Sequence, residues 1–154
     1  KVMSHPLARA LRTDKLTLAA LSATLVPYVT HKNDSEIPVW QMISRPVPQI
    51  QAAAERIAGQ LNAAGVAAEI VDGDSTVGGG SLPGTSLSTK LVAVQQRRIS
   101  ELARLLRLND PAVVARIAHD RLLIDPRTLL EGQEEKIVKA IIDKSRKLQE
   151  VTKE

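Results

Sequence analysis

The chain contains no cysteine and no phenylalanine, and its only other aromatics are one tryptophan, Trp40, and one tyrosine, Tyr28. Without cysteine there is no disulfide framework, no thiolate nucleophile and no Cys-ligated metal, which fits a cytoplasmic protein. With so few aromatics, stacking of bases on side chains is nearly excluded as a binding mode, and the core has to be aliphatic. No apolar run reaches the ~18 residues of a membrane span, and no signal-peptide pattern opens the sequence. The three histidines, His5, His31 and His119, lie far apart without HxxxH or HExxH spacing, so no metal site is expected. No GxSxG elbow supports a Ser-His-Asp nucleophile.

What is present describes a soluble globular piece. The 154 residues are 44% hydrophobic and 25% charged, which suits one domain, or one domain plus part of another. The formal charge of +4 is mildly basic; it permits an anionic partner without requiring one. The sequence starts at Lys1 with the nearest methionine at position 3, and reads as a fragment.

Local signals give an order of elements. Pro6 suits a first helical position, and Leu7 and Leu11 fall four apart, so residues 6–11 read as one or two helical turns. Thr13-Asp14 offers a cap for a second helix bearing a stripe of Leu18, Leu21 and Leu25. Pro27 removes a helical N–H, so that helix kinks or ends near it. Residues 31–36 (HKNDSE) read as a polar turn and a boundary. A helical turn started by Pro38 follows. Next comes a strong helix capped by Ser44, carrying Ile50, Ala54, Ile57 and Leu61 on one face, with Gly65 at C′.

Residues 66–71 read as a strand, 72–89 as a long loop, and 90–95 as a second strand. Ser100-Glu101 opens a helix through Leu106. Residues 111–118 and 121–124 read as two strands joined at His119-Asp120 by a two-residue hairpin turn. A final helix buries Ile137, Ile141 and Ile142, and residues 147–154 should fray. The expectation is an α+β layer: a small, mainly antiparallel sheet with helices packed on one face.

Two features invite chemistry. Arg9 and Arg12 would share a face of one helical turn, and each guanidinium is a planar fork that grips phosphate or carboxylate at two points; solvated surface charge is the plainer account. Lys15 extends the patch or pairs with Asp14 or Glu36. Gly78, Gly79 and Gly80 form a possible close-approach loop, since glycines let backbone come near a ligand or another chain. The loop lacks the Lys-Ser/Thr pair of a Walker A motif, and a flexible sheet connection is the alternative. Arg97, Arg98, Arg104 and Arg107 read as solvated charges or as a nucleic-acid surface.

Four collinear stretches go further. Residues 5–25 (HPLARALRTDKLTLAALSATL), 36–46 (EIPVWQMISRP), 77–84 (VGGGSLPG) and 121–130 (RLLIDPRTLL) resemble bacterial selenocysteine synthase, L-seryl-tRNA(Sec) selenium transferase. Pro27 and the glycine-free His119-Asp120 turn depart from the family pattern. The resemblance implies a fold type I pyridoxal-phosphate transferase that converts seryl-tRNA(Sec) to selenocysteinyl-tRNA(Sec), with selenophosphate as donor. It implies a large homo-oligomer, a decamer in bacteria.

By the same resemblance, residues 1–33 are the end of the large domain and an interdomain helix, and residues 34–154 are the C-terminal small domain. Arg9 and Arg12 match arginines that bind the anionic donor. Lys15 matches a lysine downstream of the Schiff-base lysine. The Schiff-base lysine itself lies upstream of this sequence, so the fragment alone is expected to be inactive and to hold no cofactor covalently. The alternatives are a non-catalytic tRNA-binding module or a structural module that supports assembly.

Overall fold

A computed structural model describes residues 5, 7–10, 12–78 and 84–150. The chain divides into two compact units, Lys1–Gln41 and Met42–Glu154. Elements of the first are α1 (Leu7–Ala10), α2 (Lys15–Val29) and α3 (Asn33–Glu36), and α4 (Pro38–Ser44) crosses the division. Pro6 and Leu11, which the sequence reading places in the first helix, lie outside the described residues.

Helix α2 is apolar around most of its circumference, and Pro27 is its only buried residue. Leu18, Leu21 and Leu25 are each about half exposed, so among the described residues of its unit the expected stripe is not part of a core. The helix does end near Pro27, at Val29. The Thr30 N–H still reaches the Val26 carbonyl, and Lys32 N–H reaches Pro27 O at 2.8 Å. Residues 31–36 are not all turn, because Asn33–Glu36 closes a helical turn of its own. In the same unit Trp40 Nε1 donates to Tyr28 Oη at 2.9 Å, so the two aromatics partner each other.

The second unit holds the core. Helix α5 (Val47–Ala63) buries Ile50, Ala53, Ala54, Ile57, Ala58 and Leu61; each large aliphatic side chain removed from water contributes about 1.5–3 kcal/mol. Pro46, rather than Ser44, is its N-cap, with no side-chain bond. Its C-terminus is a Schellman motif. Gly65 takes φ +80, Gly65 N–H donates to Asn62 O and Val66 N–H donates to Leu61 O, with Leu61 and Val66 both in the core. The Asn62 side chain then pairs with both backbone groups of Ala68, at 2.8 and 2.9 Å. This explains why β1 begins at Ala68, two residues later than the hydrophobic run suggests.

Strand β1 (Ala68–Thr76) and strand β2 (Ser86–Gln95) form a long antiparallel ladder from Ala68↔Val94 to Thr76↔Ser86. The loop expected over 72–89 is therefore confined to 77–85. Its Gly, Ser and Asp content is tolerated in the ladder because backbone pairing, and not side-chain propensity, holds that half of the hairpin. At Gly73 a Cβ would stand 2.4 Å from Leu91 Cδ1, and Leu91 is buried, which accounts for glycine within this strand.

Helix α6 (Ile99–Arg107) starts one residue ahead of the expected Ser100. Strand β3 is only Arg116–Ala118, because Val113 N–H is spent on the Leu106 carbonyl at the end of α6. It pairs with β4 (Arg121–Ile124), giving the order β1-β2-β4-β3. His119 and Asp120 adopt φ 50 and 56 between the paired Ala118 and Arg121. This is a type I′-like two-residue turn formed without glycine.

A 3-10 turn, Pro126–Thr128, leads to α7 (Gln133–Glu150). Helix α7 holds its last turn where fraying is expected, since Leu148 is buried. Helices α5, α6 and α7 share one core with Val92, Val94, Leu122 and Ile124 of the sheet. The architecture is the expected α+β one, with a four-stranded antiparallel sheet. Among the described residues no helix is long and apolar enough to cross a membrane.

Candidate functional site

Arg9 lies in α1, and its side chain is outside the described residues. Arg12 is exposed and not helical, in the connection between α1 and α2. The shared helical face expected for this pair is therefore not formed, because α1 ends at Ala10. What fixes the backbone just beyond Arg12 is Asp14. Its Oδ1 accepts from Leu16 N–H at 2.8 Å and Thr17 N–H at 3.0 Å, and its Oδ2 accepts from the Thr17 hydroxyl at 2.7 Å. Three donors on one carboxylate start α2 at a defined point directly after the basic segment. Lys15 is exposed, and the carboxylate of Glu36 pairs with Lys32 instead.

The bonds from Thr17, backbone first and hydroxyl second, hold the Asp14 carboxyl below its ordinary value. Since the folded value is the lower one, the cap is complete above the ordinary aspartate range and is lost as pH falls through the depressed value. The Leu16 and Thr17 amide resonances should titrate together with a midpoint below that of a free aspartate. Asp14→Ala should abolish that titration and fray the start of α2. Amide shifts that stay flat into strong acid would contradict the cap.

Of the glycine loop, Gly78 takes φ +62, while Gly79 and Gly80 lie outside the described residues. The loop is closed by Val77 N–H to Thr85 O at 3.4 Å. Among the described residues no group of three or more potential ligands could hold a metal ion. Of the basic residues in the second unit, Arg104 is engaged by Glu101 through two bonds, at 3.0 and 2.7 Å. That pairing holds the Glu101 carboxyl below its ordinary range. Arg97 and Arg98 are exposed at the end of β2. Arg97 lines a shallow hollow with Gln95, Gln96, His119, Asp120 and Arg121, where Arg121 is paired to Glu69.

The most connected polar site is one to which the sequence reading assigned no role. Asp125 caps the 3-10 turn: its Oδ1 accepts from Arg127 N–H at 3.0 Å and from the Thr89 hydroxyl at 2.9 Å. Its Oδ2 accepts from the Ser75 hydroxyl. One carboxylate thus joins β1, β2 and the turn. Arg127 is 4% exposed. Its Nη1 donates to the carbonyls of Met42, Ile43 and Arg45, and its Nη2 donates to Ser88 O at 2.8 Å. The signal was present in the DPRT string, where Asp-Pro offers a cap and a helical start. Three of the arginine's carbonyl partners lie more than 80 residues away along the chain and the fourth, Ser88, 39 residues away, so none could be read from spacing.

Fold and side chains together define a small antiparallel α+β domain, joined through short helices to a separate unit that carries a basic segment ahead of an apolar helix. Residues 1–130 match the family model of L-seryl-tRNA selenium transferase. The L-seryl-tRNA(Sec) selenium transferase of Carboxydothermus hydrogenoformans is 41% identical, over 86% of this chain and 29% of that protein. The enzymes of the same name from Hyphomonas neptunium and Aquifex aeolicus are 44% and 38% identical, over 88% and 92% of this chain. The chain belongs to the L-seryl-tRNA selenium transferase family. It spans about three-tenths of the length of these relatives, the matched region being 29%, 30% and 32% of each.

Proposed function

We propose that this chain is the C-terminal part of an enzyme that converts seryl-tRNA(Sec) to selenocysteinyl-tRNA(Sec) with selenophosphate as donor. In this reading the enzyme is a cytoplasmic homo-oligomer. Residues 1–33 close its large domain and form an interdomain helix, and residues 34–154 form its small domain. Arg9 and Arg12 bind the anionic donor. The observation that carries the proposal is the match over residues 1–130, which includes both arginines. The exposed, non-helical setting of Arg12 leaves its guanidinium free to meet an anion.

Pyridoxal phosphate is the cofactor that this reading implies, and the described lysines of this chain do not fit it. None of those among the described residues is buried, and Lys32 and Lys90 are held in ion pairs. A Schiff-base lysine needs a desolvated setting that depresses its pKa. The cofactor lysine is therefore assigned to the part of the enzyme outside this chain, and no step through the cofactor is derived from these residues.

The test is conversion of radiolabelled seryl-tRNA(Sec) in the presence of selenophosphate. The full-length protein should give selenocysteinyl-tRNA(Sec), and the 154-residue chain none. Product formed by the chain alone, or a correctly folded full-length protein that gives none, would refute the proposal.

A further inference from the structure

Arg127 is a buried cation, and among the described residues it makes no ion pair. A buried guanidinium of this kind is costly unless its protons are met. Here the two terminal nitrogens are met by carbonyls on two separate elements. Nη1 takes Met42 O at 3.1 Å, Ile43 O at 3.3 Å and Arg45 O at 3.1 Å. These are carbonyls at and just past the end of α4, where the helix leaves acceptors unpaired and where positive charge is favoured. Nη2 takes the Ser88 carbonyl of β2. Nε has no partner, so the side chain is held wholly through its two terminal nitrogens. The link is reciprocal, because Arg45 Nη1 donates to Pro126 O at 2.8 Å.

The gripped residues Met42, Ile43 and Arg45 fall within the first four of the second unit, immediately after the division at Gln41 and Met42. We infer that Arg127 is a positioning residue that pins the end of α4 to β2, so that the sheet fixes the course of the chain where it enters this unit. The fork is essential to this role. One ammonium group could satisfy the α4 carbonyls or the Ser88 carbonyl, whereas two nitrogens set apart on a rigid plane hold both. A purely electrostatic role at the helix end would need only the charge.

Amide hydrogen exchange of the full-length protein separates these cases, and it does not depend on catalysis, so it stands or falls apart from the proposed activity. Arg127→Lys keeps the charge and removes the fork. It should speed exchange across residues 40–50 by about tenfold or more, with α6 and the middle of α7 unchanged. Arg45→Ala, which removes only the reciprocal bond at a partly exposed site, should produce a smaller increase confined to the same residues. The inference is overturned if Arg127→Lys retains wild-type protection there, since charge alone would then suffice. It is equally overturned if exchange in either variant rises uniformly through α5, α6 and α7, which would mark a general loss of stability.

Discussion

Replacing Arg9 and Arg12 together by alanine in the full-length protein should lower kcat/KM for selenophosphate by about a hundredfold or more, while binding of seryl-tRNA(Sec) is retained. A hydrogen bond to a charged group is worth about 1.5–3 kcal/mol. Two guanidinium contacts to one anion thus amount to about 3–6 kcal/mol, and every ~1.4 kcal/mol is a factor of ten. The double lysine variant keeps the charge but loses the two-point grip, and should fall between the wild type and the double alanine. Donor kinetics that are unchanged in the alanine variant would remove the arginines from the site and leave this part of the chain a structural role.

Asp125→Ala should strongly destabilise the second unit, by about 3–7 kcal/mol. Loss of the cap accounts for about 1 kcal/mol. The rest comes from leaving the Ser75 and Thr89 hydroxyls without their acceptor, at about 1–3 kcal/mol for each buried group. Ser75 and Thr89 are 9% and 2% exposed, so water cannot readily substitute. Urea unfolding monitored by circular dichroism measures the loss. Adding Ser75→Ala and Thr89→Val to Asp125→Ala should recover part of it, because the triple variant removes the stranded donors. A loss below about 1 kcal/mol for Asp125→Ala would show that the carboxylate is not the acceptor holding the strands to the turn.

Much of the fold could be read from local rules. The face of Ile50, Ala54, Ile57 and Leu61, the C′ glycine at Gly65 and the turn at His119-Asp120 follow from side-chain period and backbone sterics, and all three are formed. The errors fall where partners distant in sequence decide the outcome. Residues 72–76 and 86–89 look like loop by composition, yet each completes the other's ladder. Residues 111–115 look like strand, yet Val113 is captured by the end of α6. The stripe on α2 has the right period, but period alone does not say whether a partner lies within the same chain. At the candidate site the basic residues were legible as chemistry, while the shared helical face proposed for Arg9 and Arg12 was not formed. The role of the Asp125–Arg127 turn is not legible in the sequence, because its side-chain partners are far away along the chain.

The ladder between β1 and β2 pairs every residue from 68 to 76 with one from 86 to 94 without a bulge. Side chains alternate faces with a strict period of two, so the two halves of the chain treat length changes differently. Residues can be added or removed between Thr76 and Ser86 without turning any side chain of the ladder over. A single residue inserted in β2 between Ser88 and Leu91 would instead exchange Val92 and Val94 for Leu91 and Ala93 against the helices. The glycine loop is thus where this sheet can accept a change in length, and the strands beside it cannot.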